Sequence, residues 1–128
     1  MHLQYHRARW WGFRWCNDPF EGAARTALDF INRVAAPNLA LALNTGHADL
    51  AGESPAEIAE IAGKQLGMIL FCSTASDQLG QEYDAHAPAA ESGIDFAQLR
   101  EVSGIPQVLD AVYPDENDEY LDCRAVWG

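Results

Sequence analysis

Three short runs constrain this chain most: Leu39–Leu43 (LALAL), Met68–Cys72 (MILFC) and Gln107–Val112 (QVLDAV), with segments of helical period between them. Such runs suit short strands, and the first two suit strands buried on both faces. Asp18-Pro19-Phe20-Glu21 predicts a helix start, with Asp as N-cap, Pro at the first helical position and Glu three residues after the cap. Phe20, Ala23, Ala24, Ala27, Leu28, Ile31 and Val34 follow at helical spacing, and Pro37 closes that helix. Ser54-Pro55-Ala56-Glu57 repeats the capping signature, and Ile58, Ile61, Ala62 and Leu66 supply its apolar stripe. Ile94, Phe96, Leu99 and Val102 predict a short helix, and a final one spans 115–127. His2–His6 supplies an additional first strand, and residues 73–93 read as a long loop. The expectation is an α/β chain of four consecutive βα units with a parallel sheet. At 128 residues it reads as a single domain.

Charge narrows the partners. The net charge is −11, so nonspecific binding to nucleic acid or to an anionic membrane is disfavoured. No apolar run approaches the roughly 20 residues of a membrane helix, and the N-terminus lacks the apolar core of a secretory signal. Cys16, Cys72 and Cys123 are widely spaced with no CxxC, which predicts reduced thiols in a cytoplasmic protein and excludes a zinc ribbon. Residues 1–33 hold five of the eight cations and three acids, a net +2 that leaves −13 behind them. RARWWGFRW, from Arg7 to Trp15, could stack on sugars or bases, or pack on the chain's own core or a partner subunit. The packing role is favoured, because the rest of the chain repels a polyanion. The acidic stretch from Asp110 to Asp122 is expected to be a solvated helix face.

In parallel α/β proteins, functional groups collect at the C-terminal ends of strands. That singles out Gln4, His6, Asn44, His47, the stretch after Cys72, and Asp110. From Leu39 onward, LALALNTGHADLAGESPAEIAEIAGKQLGMILFCS, YDAHAPAAESGIDF and VLDAVYP follow in order. These segments resemble the second half of the xylose isomerase-like TIM-barrel superfamily, which includes sugar-phosphate isomerases and epimerases and the endonuclease IV type of apurinic endonuclease. The resemblance implies a parallel half of a (β/α)8 barrel over residues 1–128. A whole barrel takes about 250 residues, so a homodimer or a second chain would complete it. The Trp-rich segment and the LALAL face are the surfaces expected to pair.

In the family, Glu, Asp, His and Glu at strand ends hold a divalent metal. The matching positions here are Gln4, Asn44, Leu70 and Asp110, so only Asp110 keeps a charge. Gln and Asn bind a hard cation poorly, Leu cannot bind one, and Gln4 cannot act as a general base. A second set is intact: His47, Asp84 and His86 match the His of the family's DTGH segment and its Asp-x-His pair. Two imidazoles and a carboxylate suit one zinc or manganese ion, with a position left for water. The alternative is that both histidines hydrogen-bond substrate or backbone while Asp84 orients an imidazole. The DAH spacing lets Asp84 and His86 point the same way.

The implied function is that of a sugar or sugar-phosphate isomerase/epimerase-like protein with a degraded family metal site. Asp110 and His47 would move the proton, and Gln4, His6, Asn44 and Tyr83 would contact the sugar-like ligand. Two alternatives stay open. One is a non-catalytic small-ligand binder or barrel-completing subunit. The other, least favoured by the charge, is a zinc-dependent phosphodiester hydrolase. Cys72 is expected to be a small buried residue rather than an activated thiolate.

Overall fold

The computed structural model describes residues 23–128. The expected strand at His2–His6, the cap at Asp18 and the Arg7–Trp15 segment lie outside the described residues, as do the candidates Gln4 and His6.

Helix α1 spans Ala23–Val34 and turns its Ala27, Leu28 and Ile31 inward. It ends before Pro37: Ala35 takes a left-handed backbone (φ 52°) and its N–H still bonds Ile31 O. Strand β1 (Leu41–Asn44) runs directly into a one-and-a-half-turn helix, α2 (Thr45–Leu50). Helix α3 (Pro55–Ala62) begins as the capping signature predicts, with Ser54 Oγ accepting from Glu57 N. Its buried stripe is Ile58, Ala59 and Ala62, and the expected Ile61 is instead 51% exposed. At about 100° per residue Ile58, Ala62 and Ala59 span one stripe about 100° wide, and the helix faces the core on that side, which leaves Ile61 about 160° from Ala59 on the outer side.

Strand β2 (Leu66–Phe71) follows, then β3 (Ser73–Ser76), β4 (Glu82–Ala87), the four-residue helix α4 (Ala97–Arg100), β5 (Gln107–Leu109) and α5 (Glu116–Trp127). β1, β2 and β5 form a three-stranded parallel sheet with β2 central. Leu43 pairs with Ile69, and Ile69 with Gln107. The described part is thus mixed α/β around a small parallel sheet, and four parallel βα units are not present in it. Three of the expected strands pair as foreseen, each within two or three residues of its expected bounds.

The expected loop after Cys72 is the main correction. β3 and β4 form an antiparallel hairpin outside the parallel sheet. Its turn is built by Asp77, whose Oδ1 accepts from Leu79 N and Gln81 N, and by Gly80 at φ +80°. STAS and EYDAHA carry no apolar run, so a reading based on hydrophobic pattern passes over them.

Leu41, Leu43, Ile69 and Phe71 alternate onto one sheet face and join the helices in a single core. Phe71 is fully buried, with edge-on contacts to Phe96 (5.5 Å between centroids) and Trp127 (5.7 Å). Ala42 and Leu70, on the alternate positions, are buried as well. Within the LALAL run, Leu41, Ala42 and Leu43 are thus buried, and Leu39 and Ala40 are half-buried. Phe71→Ala is expected to cost about 3–5 kcal/mol through lost burial and a residual cavity. Urea denaturation followed by circular dichroism checks this, and a cost below about 1 kcal/mol would contradict a core centred on Phe71.

Candidate metal centre

Because β1, β2 and β5 are parallel, Asn44, Cys72 and Asp110 stand together at one end of the sheet. Asn44 closes β1 and caps α2, its Oδ1 accepting from His47 N at 3.0 Å. The same oxygen accepts from Cys72 Sγ at 3.1 Å. Asn44 Nδ2 reaches Asp110 Oδ2 at 3.5 Å. Thr45 ties the strand ends further: its hydroxyl donates to Cys72 O (2.7 Å) and accepts from Cys72 N (3.1 Å). Gly46 lets α2 pack close here, since a Cβ would sit 3.0 Å from Cys72 Sγ and would have to push the thiol aside. This network fixes the first turn of α2, and with it the backbone of His47.

The hairpin brings the other two members. Asp84 and His86 are two residues apart on β4, so alternation points both to one side. The ladder is irregular here: Ser73 pairs with Ala87, but Ala75 pairs with Tyr83. Extra residues on one strand make a bulge, which re-aims side chains. His86 carries the strain, with a left-handed φ of 47°. Neighbouring chain holds it there: its carbonyl accepts from Val112 N at 2.8 Å, and its Nδ1 lies 2.8 Å from Asp110 O and 3.3 Å from Asp110 Oδ2.

Asp84 lies between the two imidazoles. Its Oδ2 is 2.9 Å from His47 Nε2 and its Oδ1 is 3.4 Å from His86 Nε2. The two rings meet edge to face, 5.8 Å apart. The Asp84 and His47 side chains are each only 7% exposed. One ligand atom from each of His47, Asp84 and His86 lies within 4.8 Å of the other two. This set can hold a metal ion. Two buried atoms in it, His47 Nδ1 and Asp84 Oδ1, make no hydrogen bond. An incompletely bonded buried carboxylate suits an ion coordinated among these donors. His86 is oriented as metal-bound histidines usually are, with its second ring nitrogen against a carbonyl and a carboxylate.

The electrostatics follow from this packing. Burial raises the Asp84 carboxyl, but the His47 and His86 imidazoles beside it outweigh that and hold the group well below the usual carboxylate range. His86 is pushed up to about 10 by the Asp110 and Asp84 carboxylates beside it, against the opposing effect of burial. Burial pushes the Cys72 thiol up to about 12, consistent with an inert residue.

The structure brings His47, Asp84, His86, Asn44 and Asp110 together. Tyr83 precedes Asp84 on β4, is 46% exposed, and by alternation faces the other way. Leu70 is buried within β2. Asp122 was missed by sequence reasoning. The acidic stretch is a solvated face in part, but Asp122 is only 1% exposed and accepts from Ala89 N and Ala90 N. The one signal available was its place four residues before Val126, on the inward side of α5. Among the described residues, no helix is long and apolar enough to cross a membrane. Comparison with known protein families, curated proteins and solved structures finds no match.

The thiol sets a pH dependence. The folded chain keeps a proton on Cys72 that the unfolded chain releases above its ordinary value of 9.0. Stability from this group is complete below that value and falls as pH rises toward about 12, at about 1.4 kcal/mol per pH unit. Urea midpoints measured from about pH 8 to 10 should fall in both proteins, through His86, and above pH 9.0 should fall less steeply in Cys72→Ala than in the wild type. Equal slopes in both proteins would contradict the buried thiol.

Proposed function

We propose that this chain binds one divalent metal, zinc or manganese, at His47, Asp84 and His86, and takes a small sugar-like ligand beside it. In this reading it is an isomerase/epimerase-like protein of weak turnover. The observation that carries it is the convergence of two imidazoles and one carboxylate at the C-terminal edge of a parallel sheet. Borderline nitrogen donors with one oxygen favour zinc and tolerate manganese. A metal bound there would polarise a carbonyl or hydroxyl oxygen of the ligand.

The chain's own residues set what could follow. Asp110 is the carboxylate at the strand ends able to take a proton from carbon. It is held beside His86 Nδ1 and Asn44 Nδ2, which fixes its position and shares its charge. An epimerase needs a second acid–base group on the opposite face of the carbon. The family's first glutamate is Gln4 here, so no carboxylate from that position supplies it. The expected chemistry is therefore slow exchange of a carbon-bound proton with solvent, with little net epimerisation. A second reading, binding without turnover, is favoured by how fully Asn44 and His86 engage Asp110.

The reading also takes a second copy, or another chain, to continue the sheet. Its support is the position of β5 at the sheet edge among the described strands, with Val108 41% and Val112 71% exposed.

Plasma mass spectrometry on untagged protein should find about one metal per chain, lost in Asp84→Ala. Absence of metal after incubation with zinc and manganese would overturn the reading. Metal-loaded protein in deuterated water should label a ketose from a sugar panel slowly, and Asp110→Asn should abolish the labelling. No labelling above the Asp110→Asn background would leave the binding role alone. Sedimentation velocity at micromolar concentration should show a dimer, and a monomer would remove the second copy from the account.

A further inference from the structure

We infer that Asp122 is a positioning residue for the metal centre, acting with Tyr113 to hold His86 in its strained backbone conformation. The inference rests on the metal-binding reading above and adds residues that lie outside the cluster itself.

Asp122 projects from α5 into the interior and ties three segments together. Its Oδ2 accepts from Ala89 N at 2.9 Å and from the Tyr113 hydroxyl at 2.5 Å, and its Oδ1 accepts from Ala90 N at 2.6 Å. Ala89 and Ala90 open the turn that follows β4, only three and four residues beyond His86. Tyr113 lies in the loop after β5. That loop supplies the groups that hold His86: Asp110 O against its Nδ1, and Val112 N on its carbonyl. One buried carboxylate thus fixes the chain on both sides of the histidine.

The physical case is strain against anchoring. A non-glycine residue at φ 47° is strained and persists only where its surroundings over-determine it. The hairpin turn at the far end of β4 does not reach His86. The anchors that do are the Ser73–Ala87 pairing and the two segments joined at Asp122. Burying this carboxylate is costly unless its oxygens are fully bonded, and three donors meet that need. If the clamp loosened, His86 would relax toward an ordinary strand backbone, turning Nε2 away from Asp84. Groups bonded directly to a metal ligand typically alter its affinity about 10- to 100-fold when mutated, and Asp122 acts at least one contact farther out, so its effect should be smaller.

The test compares wild type, Asp122→Asn, Tyr113→Phe and the exposed control Glu119→Gln, each checked for native circular dichroism. Zinc affinity is read by competition with a chromophoric chelator, and ligand geometry by the visible spectrum of the cobalt(II) form. Asp122→Asn should weaken zinc binding several-fold, up to about 10-fold, and alter the cobalt bands. Tyr113→Phe should shift both in the same direction by less, and Glu119→Gln should change neither. Wild-type affinity and spectrum in folded Asp122→Asn and Tyr113→Phe would overturn the inference. If Asp122→Asn does not fold, Tyr113→Phe decides by the same criterion. If wild type binds neither ion, the metal reading fails by itself, and amide exchange in metal-free protein decides the clamp. Faster exchange at Val112 and Ala89 in Tyr113→Phe supports it, and unchanged exchange overturns it.

Discussion

A carboxylate withdrawn from water must be compensated, and Asp84 is compensated by two histidines from different parts of the chain. His47 comes from the helix that follows β1, and His86 from the same strand as Asp84. The pairing therefore does more than join side chains. It locks the β3–β4 hairpin against the end of the parallel sheet, because with the two apart His47 would face no acid and Asp84 would keep only His86. Breaking such a buried pair by removing one partner is strongly destabilising, since the other is left uncompensated. The same arrangement gives the site its chemistry. Two imidazoles and a carboxylate crowded together leave Asp84 Oδ1 and His47 Nδ1 without hydrogen bonds, and an ion among them uses donor capacity that the protein alone leaves idle.

Around this pair, the supports form two groups. On the sheet side, Asn44, Thr45, Gly46 and Cys72 knit adjacent strand ends into one rigid corner, and His47 rides on it. Cys72 serves here as a buried hydrogen-bonding spacer. On the hairpin side, support is indirect. β4 lies outside the parallel sheet, so His86 depends on the loop carrying Asp110 and Val112, and that loop depends on α5. Rigid elements hold a site more precisely than loops do, and α5 supplies that rigidity through Asp122.

Much of this was legible in the residues. LALAL and MILFC announce strands because they are apolar without interruption, and Ser54-Pro55-Ala56-Glu57 announces a helix because each residue has a capping role. His47, Asp84 and His86 could be grouped from their order and from the two-residue step that turns Asp84 and His86 to one side. What escaped had a physical reason. The hairpin is made of small and polar residues whose pairing is driven by backbone hydrogen bonds and by the Asp77 turn, so no hydrophobic pattern marks it. Asp122 hid among acids that face water, and its burial depends on donors from Ala89, Ala90 and Tyr113 that only the tertiary fold assembles. The bulge at His86 is likewise a product of its anchors, as nothing in EYDAHA requires a left-handed residue.

The central claim is that His47, Asp84 and His86 act together as one metal centre. Zinc-edge X-ray absorption on protein loaded with one equivalent of zinc tests it most directly. The account predicts a light-atom first shell at about 2.0–2.1 Å with the outer-shell scattering of imidazole. A sulfur scatterer near 2.3 Å, which would place the ion on a cysteine, or a shell without imidazole scattering, would contradict it.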